Sequence, residues 1–92
     1  MVSLRSLEYY ALRTILIESR RQAGLTQRQL ASRLQRPRSY VAKIEGGDRH
    51  VFMHELPEIA SALRVDPLEL FLRFDERLTV LQKLAGQPRK RS

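Results

Sequence analysis

The 92-residue sequence contains no cysteine, so neither disulfide bonds nor thiolate metal sites hold the fold. No apolar run is long enough to span a bilayer, and the amino terminus lacks a signal-peptide pattern, so a cytoplasmic protein without a membrane segment is expected. Sustained alternation of apolar and polar residues, which indicates strands, is also missing. Apolar residues recur instead at spacings of three and four, which favours a single all-α domain.

Acidic residues are scarce in the first half of the chain, although the formal net charge of the whole is only +7. Residues 1–50 carry ten basic and four acidic residues, whereas residues 51–87 carry four basic and six acidic ones. Between residues 20 and 43 there are seven basic residues and no acidic one. Such clustering favours a polyanionic partner, but a basic run by itself is more often a solvated surface.

Two short helices with a tight connection are predicted between residues 24 and 47. Thr26 and Gln29 form the Thr-x-x-Gln pattern of a capping box at the start of the first helix. The second helix is expected to begin near Pro37, which suits a first-turn position, and to bury Val41 and Ile44. Its outward side chains would be Arg38, Ser39 and Lys43. The spacing therefore predicts a helix-turn-helix, at about residues 26–46, with a basic outer face.

The rest of the chain predicts three further helices. The first runs from about residue 6 to 23 and ends at Gly24, and the fourth spans about residues 53–63. Phe52 and Met53 are expected to pack under the loop before it. Asp66-Pro67 starts a fifth helix that extends to residue 85, and Phe71 is expected to close the core.

Several anchors spaced along residues 12–71 resemble the XRE-like family, the Cro and phage-repressor type of helix-turn-helix domain. The anchors are Arg20, Gly24-Leu25-Thr26-Gln27, Leu30-Ala31, Leu34, Val41, Ile44-Glu45, Gly47, Ala60, Leu63 and Leu70-Phe71. The resemblance implies an all-α, five-helix domain that binds operator DNA, usually as a symmetric dimer, with its third helix in the major groove. The fifth helix is longer here than is usual in the family.

Residue by residue, the resemblance implies that Gln27 contacts a phosphate and braces the third helix. It also implies a buried ion pair between Arg20 and Glu45. It further implies that Arg38, Ser39 and Lys43 occupy the positions with which the family reads bases. The chain departs from the family at Gln35, where a left-handed glycine is usual; a glutamine there either costs on the order of 1 kcal/mol or adopts a different turn.

The chemistry of the side chains agrees with these roles. Ser39 and Lys43 are four apart and share one face of a helix, so that its first turn can meet base edges. Arg28, Arg36 and Arg49 flank that helix and are better candidates for phosphate contacts. Tyr40 either packs against the DNA backbone or a thymine methyl, or is a structural tyrosine.

The predicted fifth helix carries a heptad stripe that includes Phe74, Leu78 and Leu81. The stripe packs within the chain against Leu4, Leu7 and Ala11 of the first helix, or forms the seam of a homodimer, or does both at once. We expect residues 1–86 to form one helical domain and residues 87–92 a disordered basic tail able to contact phosphates.

No enzymatic activity, metal or cofactor is predicted. His50 and His54 are four apart, but no third ligand is in register with them. The sequence predicts a transcriptional regulator, a dimeric repressor of a short palindromic operator in double-stranded DNA, associated with the nucleoid if the source is prokaryotic. The alternatives are an antitoxin that binds a protein partner through its carboxy-terminal helix, and a helical adaptor that does not bind DNA.

Overall fold

A computed structural model describes residues 6–87, and these residues form five α-helices and no strand. The helices are α1 (Leu7–Gln22), α2 (Gln27–Arg33), α3 (Arg38–Glu45), α4 (Leu56–Leu63) and α5 (Pro67–Leu84), with a short 3-10 helix, Met53–Glu55, before α4. The predicted all-α fold with a long last helix is confirmed. Leu4 and the basic run at residues 89–91 lie outside the described residues.

Three helices begin at polar side chains that cap their first turns. The Ser6 hydroxyl accepts a hydrogen bond from the Tyr9 amide at 3.2 Å, and the Asp66 carboxylate accepts one from the Leu68 amide at 2.7 Å. Thr26 and Gln29 exchange the two bonds of a capping box. These bonds satisfy amide donors that the first turn of a helix leaves free, which is why α1, α2 and α5 begin where they do.

The helices end in left-handed turns. After α1, Gly24 has a φ of +73°, its amide bonds the Arg21 carbonyl, and the Leu25 amide bonds the Arg20 carbonyl. This is a Schellman motif, and it directs Leu25 into the core. The same pair of bonds follows α2 and α4, but Gln35 and Arg64 occupy the left-handed position there, with φ of 54° and 58°. Neither glutamine nor arginine adopts this conformation without cost.

The core lies where α1 through α5 converge. Its fully buried members include Ile15, Val41, Ala60 and Leu70. The expectation for Phe71 is wrong, because Leu70 has no exposed surface whereas Phe71 is 39% exposed. Consecutive residues of a helix point about 100° apart. A prediction that is wrong by one residue along α5 therefore assigns the core contact to Phe71 instead of Leu70.

The long α5 packs along α1, and polar contacts run beside the apolar ones. The Arg77 guanidinium bonds the Thr14 hydroxyl at 3.1 Å and the Glu18 carboxylate at 2.7 Å. Leu78 is buried, and Phe74 packs against the core. Phe74 and Leu78 therefore follow the intrachain alternative, and Leu78 has almost no surface left for a dimer seam. The part of Leu81 in a seam stays a prediction.

The loop before α4 differs from expectation. Phe52 and Met53 are exposed rather than packed under the loop.

In the described part of the chain, no helix combines the length and the apolar character needed to cross a membrane.

Candidate nucleic-acid interface

The outer face of α3 carries the three residues predicted to read bases. Arg38, Ser39 and Lys43 are all exposed, while Val41 and Ile44 on the opposite face are buried. Pro37 lies one position earlier than expected, because it is the N-cap of α3 rather than a residue of its first turn. Its backbone is extended, with φ of −62° and ψ of 151°, and no side chain caps the start of the helix.

The turn between α2 and α3 keeps the geometry that glycine usually provides. The Gln35 amide bonds the Ser32 carbonyl and the Arg36 amide bonds the Ala31 carbonyl, both at 3.0 Å. Of the two alternatives for Gln35, the structure has the left-handed residue, with a cost of about 1 kcal/mol. The angle between α2 and α3 is therefore set by a Schellman motif despite the missing glycine.

A buried ion pair joins α1 to the end of α3. The Arg20 Nε lies 2.6 Å from Glu45 Oε2, and its Nη2 lies 3.0 Å from Oε1, with both side chains about nine-tenths buried. Arg20 Nη1 also donates to the Leu25 carbonyl at 2.7 Å, and Gln27 Nε2 donates to Glu45 Oε1 at 2.9 Å. One carboxylate thus connects α1, α2 and α3. The bracing of α3 by Gln27 is visible in this contact.

The beginnings of α2 and α3 lie side by side. Thr26, Gln27, Arg28 and Arg38 line one open cleft together with Arg20. Arg28 and Arg38 are exposed. The cleft brings Arg38, a predicted base-reading residue, next to Gln27 and Arg28, which are predicted to contact phosphates. The charged residues that line it are all basic. An anionic ligand suits such a surface.

Tyr40 is not at the surface where a contact with the DNA backbone was expected. Its side chain is buried, and its hydroxyl donates to Glu55 Oε2 at 2.6 Å. The guanidiniums of Arg36 and Arg49 lie over its ring, 4.8 and 4.6 Å from the centroid. Of the two alternatives for Tyr40, the structure favours the structural tyrosine, because a ring enclosed in this way has little surface left for a phosphate.

Arg36 and Arg49 both contact carboxylates. Arg49 Nη1 donates to Glu55 Oε1 at 3.0 Å and to the His50 carbonyl at 2.7 Å. Arg36 Nη2 donates to Glu58 at 3.3 Å, and its Nη1 lies 3.8 Å from Glu55. The two side chains are similarly exposed, Arg36 by 37% and Arg49 by 31%.

The buried carboxylate shifts the ionisation of its cluster. Burial acts to raise the pKa of Glu55, but hydrogen bonds from Arg49, the Phe52 amide and Tyr40 outweigh it and lower that pKa to about 2. Burial, assisted by the hydrogen bond to Glu55 and by its negative charge, raises the pKa of Tyr40 to about 12. Glu55 is therefore ionised and Tyr40 neutral at physiological pH.

Glu55 is a residue whose importance the sequence did not reveal. The available signal was its place three residues after Phe52, where a glutamate side chain reaches back to the amide at a helix start, as it does here at 2.9 Å. The two histidines nearby take part in ring contacts instead of a metal site: His50 meets the Tyr9 ring edge-on at 4.8 Å, and His54 stacks on Phe52 at 5.9 Å. Within residues 6–87, no three potential metal ligands converge.

The matched family is a helix-turn-helix domain, and the match covers residues 11–71. An XRE-family-like protein from Pseudomonas syringae pv. tomato is 36% identical over 75% of this chain and 84% of its own, with a TM-score of 0.69. The chain belongs to the XRE-like family of helix-turn-helix DNA-binding domains. No curated protein sequence matches it.

Two more distant structures share the fold. The restriction-modification controller protein C.Esp1396I, solved as a tetramer with its natural 35-base-pair operator, superposes with a TM-score of 0.74 at 23% identity, over 80% of this chain and 97% of its own. The clp gene regulator ClgR from Corynebacterium glutamicum has a TM-score of 0.76 at 21% identity, over 88% of this chain and 85% of its own.

Proposed function

We propose that this XRE-like protein is a transcriptional regulator that binds a specific operator in double-stranded DNA, as a dimeric repressor. The observation that carries the proposal is the exposed face of α3, where Arg38, Ser39 and Lys43 project from a helix fixed to α1 by a buried ion pair. A rigid helix with a free polar face suits reading of the major groove. The related controller protein bound to its operator supports the same function.

Arg38, Ser39 and Lys43 are proposed to read base edges. A bidentate contact from Arg38 to guanine would contribute about 1–3 kcal/mol of discrimination. Gln27, Arg28, Arg36 and Arg49 are proposed to contact phosphates, which fixes the register of the protein on the duplex. We do not include Tyr40, whose hydroxyl is bonded to Glu55.

The dimer is proposed to form through the start of α5. Leu68, Phe71 and Leu72 are exposed there, and Leu68 and Leu72 share one face of the helix. Phe74 and Leu78 of the predicted seam pack within the chain, so the exposed start of α5 is proposed as the contact in their place. A two-fold dimer would set its two α3 helices about 34 Å apart and select half-sites one helical turn apart. Burial of Leu78 leaves less of the stripe exposed for the protein partner that the antitoxin alternative requires.

Selection of bound sequences from random duplex DNA tests the function. A palindromic consensus is expected, since a two-fold protein reads both half-sites alike. Binding to the selected duplex is then measured over a salt series, in which log K falls against log salt with a slope of about −0.9 for each phosphate contacted. A set of selected sequences without consensus, or binding that salt does not change, would refute the proposal in favour of the adaptor.

A further inference from the structure

One buried carboxylate lies behind the amino-terminal half of α3. Glu55 is 2% exposed, and its two oxygens accept hydrogen bonds from the Tyr40 hydroxyl, Arg49 Nη1 and the Phe52 amide. Arg36 Nη1 approaches it at 3.8 Å. These partners come from the turn before α3, from α3 itself and from the loop after it. A single side chain therefore joins three segments that flank the proposed reading face.

The contacts of Glu55 restrain the part of α3 that carries the reading residues. Tyr40 follows Ser39 directly, so fixing the Tyr40 hydroxyl restrains rotation of the first turn about the helix axis. The end of α3 is restrained by Glu45 and Arg20. The helix is thus fixed at both ends by buried carboxylates, whose hydrogen bonds are directional in a way that apolar packing is not.

The same carboxylate balances two positive charges beside the DNA-facing surface. The guanidiniums of Arg36 and Arg49 both lie over the Tyr40 ring, less than 5 Å from its centroid. Without Glu55, Arg49 would lose a carboxylate partner, and Arg36 would retain only the exposed Glu58. Once Arg36 and Arg49 are released, their guanidiniums can contact phosphates of DNA of any sequence, which strengthens non-specific binding.

We infer that Glu55 is a positioning residue for sequence reading: through Tyr40, Arg36 and Arg49 it orients the first turn of α3 and restricts where the two arginines meet the backbone. The inference rests on the proposed function. Glu55, which lies outside the proposed interface, would therefore raise the ratio of specific to non-specific affinity.

The test compares Glu55→Gln with Glu58→Gln. Both substitutions remove one negative charge, and both carboxylates contact Arg36, but only Glu55 is buried and bonded to Tyr40. Dissociation constants are measured for the selected duplex and for a scrambled duplex of equal length over a salt series. Glu55→Gln is expected to lower the ratio of specific to non-specific affinity by about fivefold or more, the equivalent of a weakened base contact. Glu58→Gln is expected to leave that ratio unchanged.

Salt dependence and a second variant separate positioning from stability. A domain that is only less stable loses affinity for both duplexes in proportion, with the same salt slope. Release of one arginine makes the slope on the scrambled duplex steeper by about 0.9. Tyr40→Phe, which keeps the Glu55 charge and its bond to Arg49, is expected to lower the ratio without steepening the slope.

Equal ratios for Glu55→Gln and Glu58→Gln, or a Tyr40→Phe protein that discriminates like the unaltered one, would overturn the inference. If Glu55→Gln does not fold, the Tyr40→Phe result decides. An unaltered protein that binds both duplexes equally would instead refute the proposed function, and the inference with it.

Discussion

Replacing Glu45 by leucine removes one half of the ion pair that joins α1 to α3. The Arg20 guanidinium would keep its bond to the Leu25 carbonyl but lose two charge-assisted bonds at a site where it is 9% exposed. Leaving such a charge without its partner costs about 3–5 kcal/mol. That is a large part of the total stability of a small domain, which is about 5–15 kcal/mol.

Thermal and urea unfolding would measure the effect of Glu45→Leu. In domains of this size each kcal/mol lowers the Tm by about 4–8 °C, so the loss should be roughly 12 °C or more. Glu18→Gln is the control, because Glu18 pairs with Arg77 across an exposed surface where an ion pair contributes at most about 1 kcal/mol.

The double variant Arg20→Met with Glu45→Leu decides whether the cost comes from an unpaired charge. Apolar replacement of both partners avoids that charge and often leaves stability unchanged or higher. We therefore expect the double variant to be more stable than Glu45→Leu alone, with a coupling of about 2 kcal/mol or more between the sites. Additive losses, or a Glu45→Leu protein as stable as the Glu18→Gln control, would refute the reasoning.

Four further outcomes are expected. Arg38→Ala should weaken binding to the selected duplex by about 1–3 kcal/mol with little change on scrambled DNA, whereas Arg28→Ala should weaken both alike; equal patterns in a binding assay would contradict the assignment. Because the folded state lowers the pKa of Glu55 to about 2, its contribution to stability is complete above the usual value near 4.5 and is lost as the pH falls towards 2. Acid unfolding of Glu55→Gln should therefore lack a component of roughly 3 kcal/mol that the unaltered protein shows. Gln35→Gly should raise the unfolding free energy measured in urea by about 1 kcal/mol, and an unchanged value would contradict the strain at this turn. Leu72→Glu should shift sedimentation from dimer to monomer while the helical content stays unchanged, since the side chain is 56% exposed and outside the core; an unchanged dimer would exclude this face.

Features encoded by neighbouring residues could be predicted from the sequence. The signals for helix starts and ends act within one turn, so their spacing alone indicates where helices begin and end. They are Thr26 with Gln29 and Asp66 with Pro67 at the starts, and Gly24 at an end. The polar outer face of α3 follows from the same period.

Features decided by packing between distant segments could not be predicted in this way. Apolar side chains at Leu68, Leu70, Phe71 and Leu72 surround the start of α5, so the pattern does not define which of them faces the core. Burial of Tyr40 depends on Glu55, 15 residues away, and on arginines from two other segments. The ion pair of Arg20 and Glu45 and the bracing of α3 by Gln27 were available in advance at long range, and both came from the family resemblance.

The pairing of α1 with α5 has a consequence for how the protein is made. Arg77 is 59 residues from its partner Glu18, and Leu70 completes a core that begins at Ile15. Synthesis proceeds from the amino terminus at about 5–20 residues per second, so α1 waits roughly 3–12 s for the helix that covers it. The slow step of folding should then be closure of this long loop rather than formation of the helix-turn-helix. During that interval the side of α1 that faces α5 is open to water and to other nascent chains.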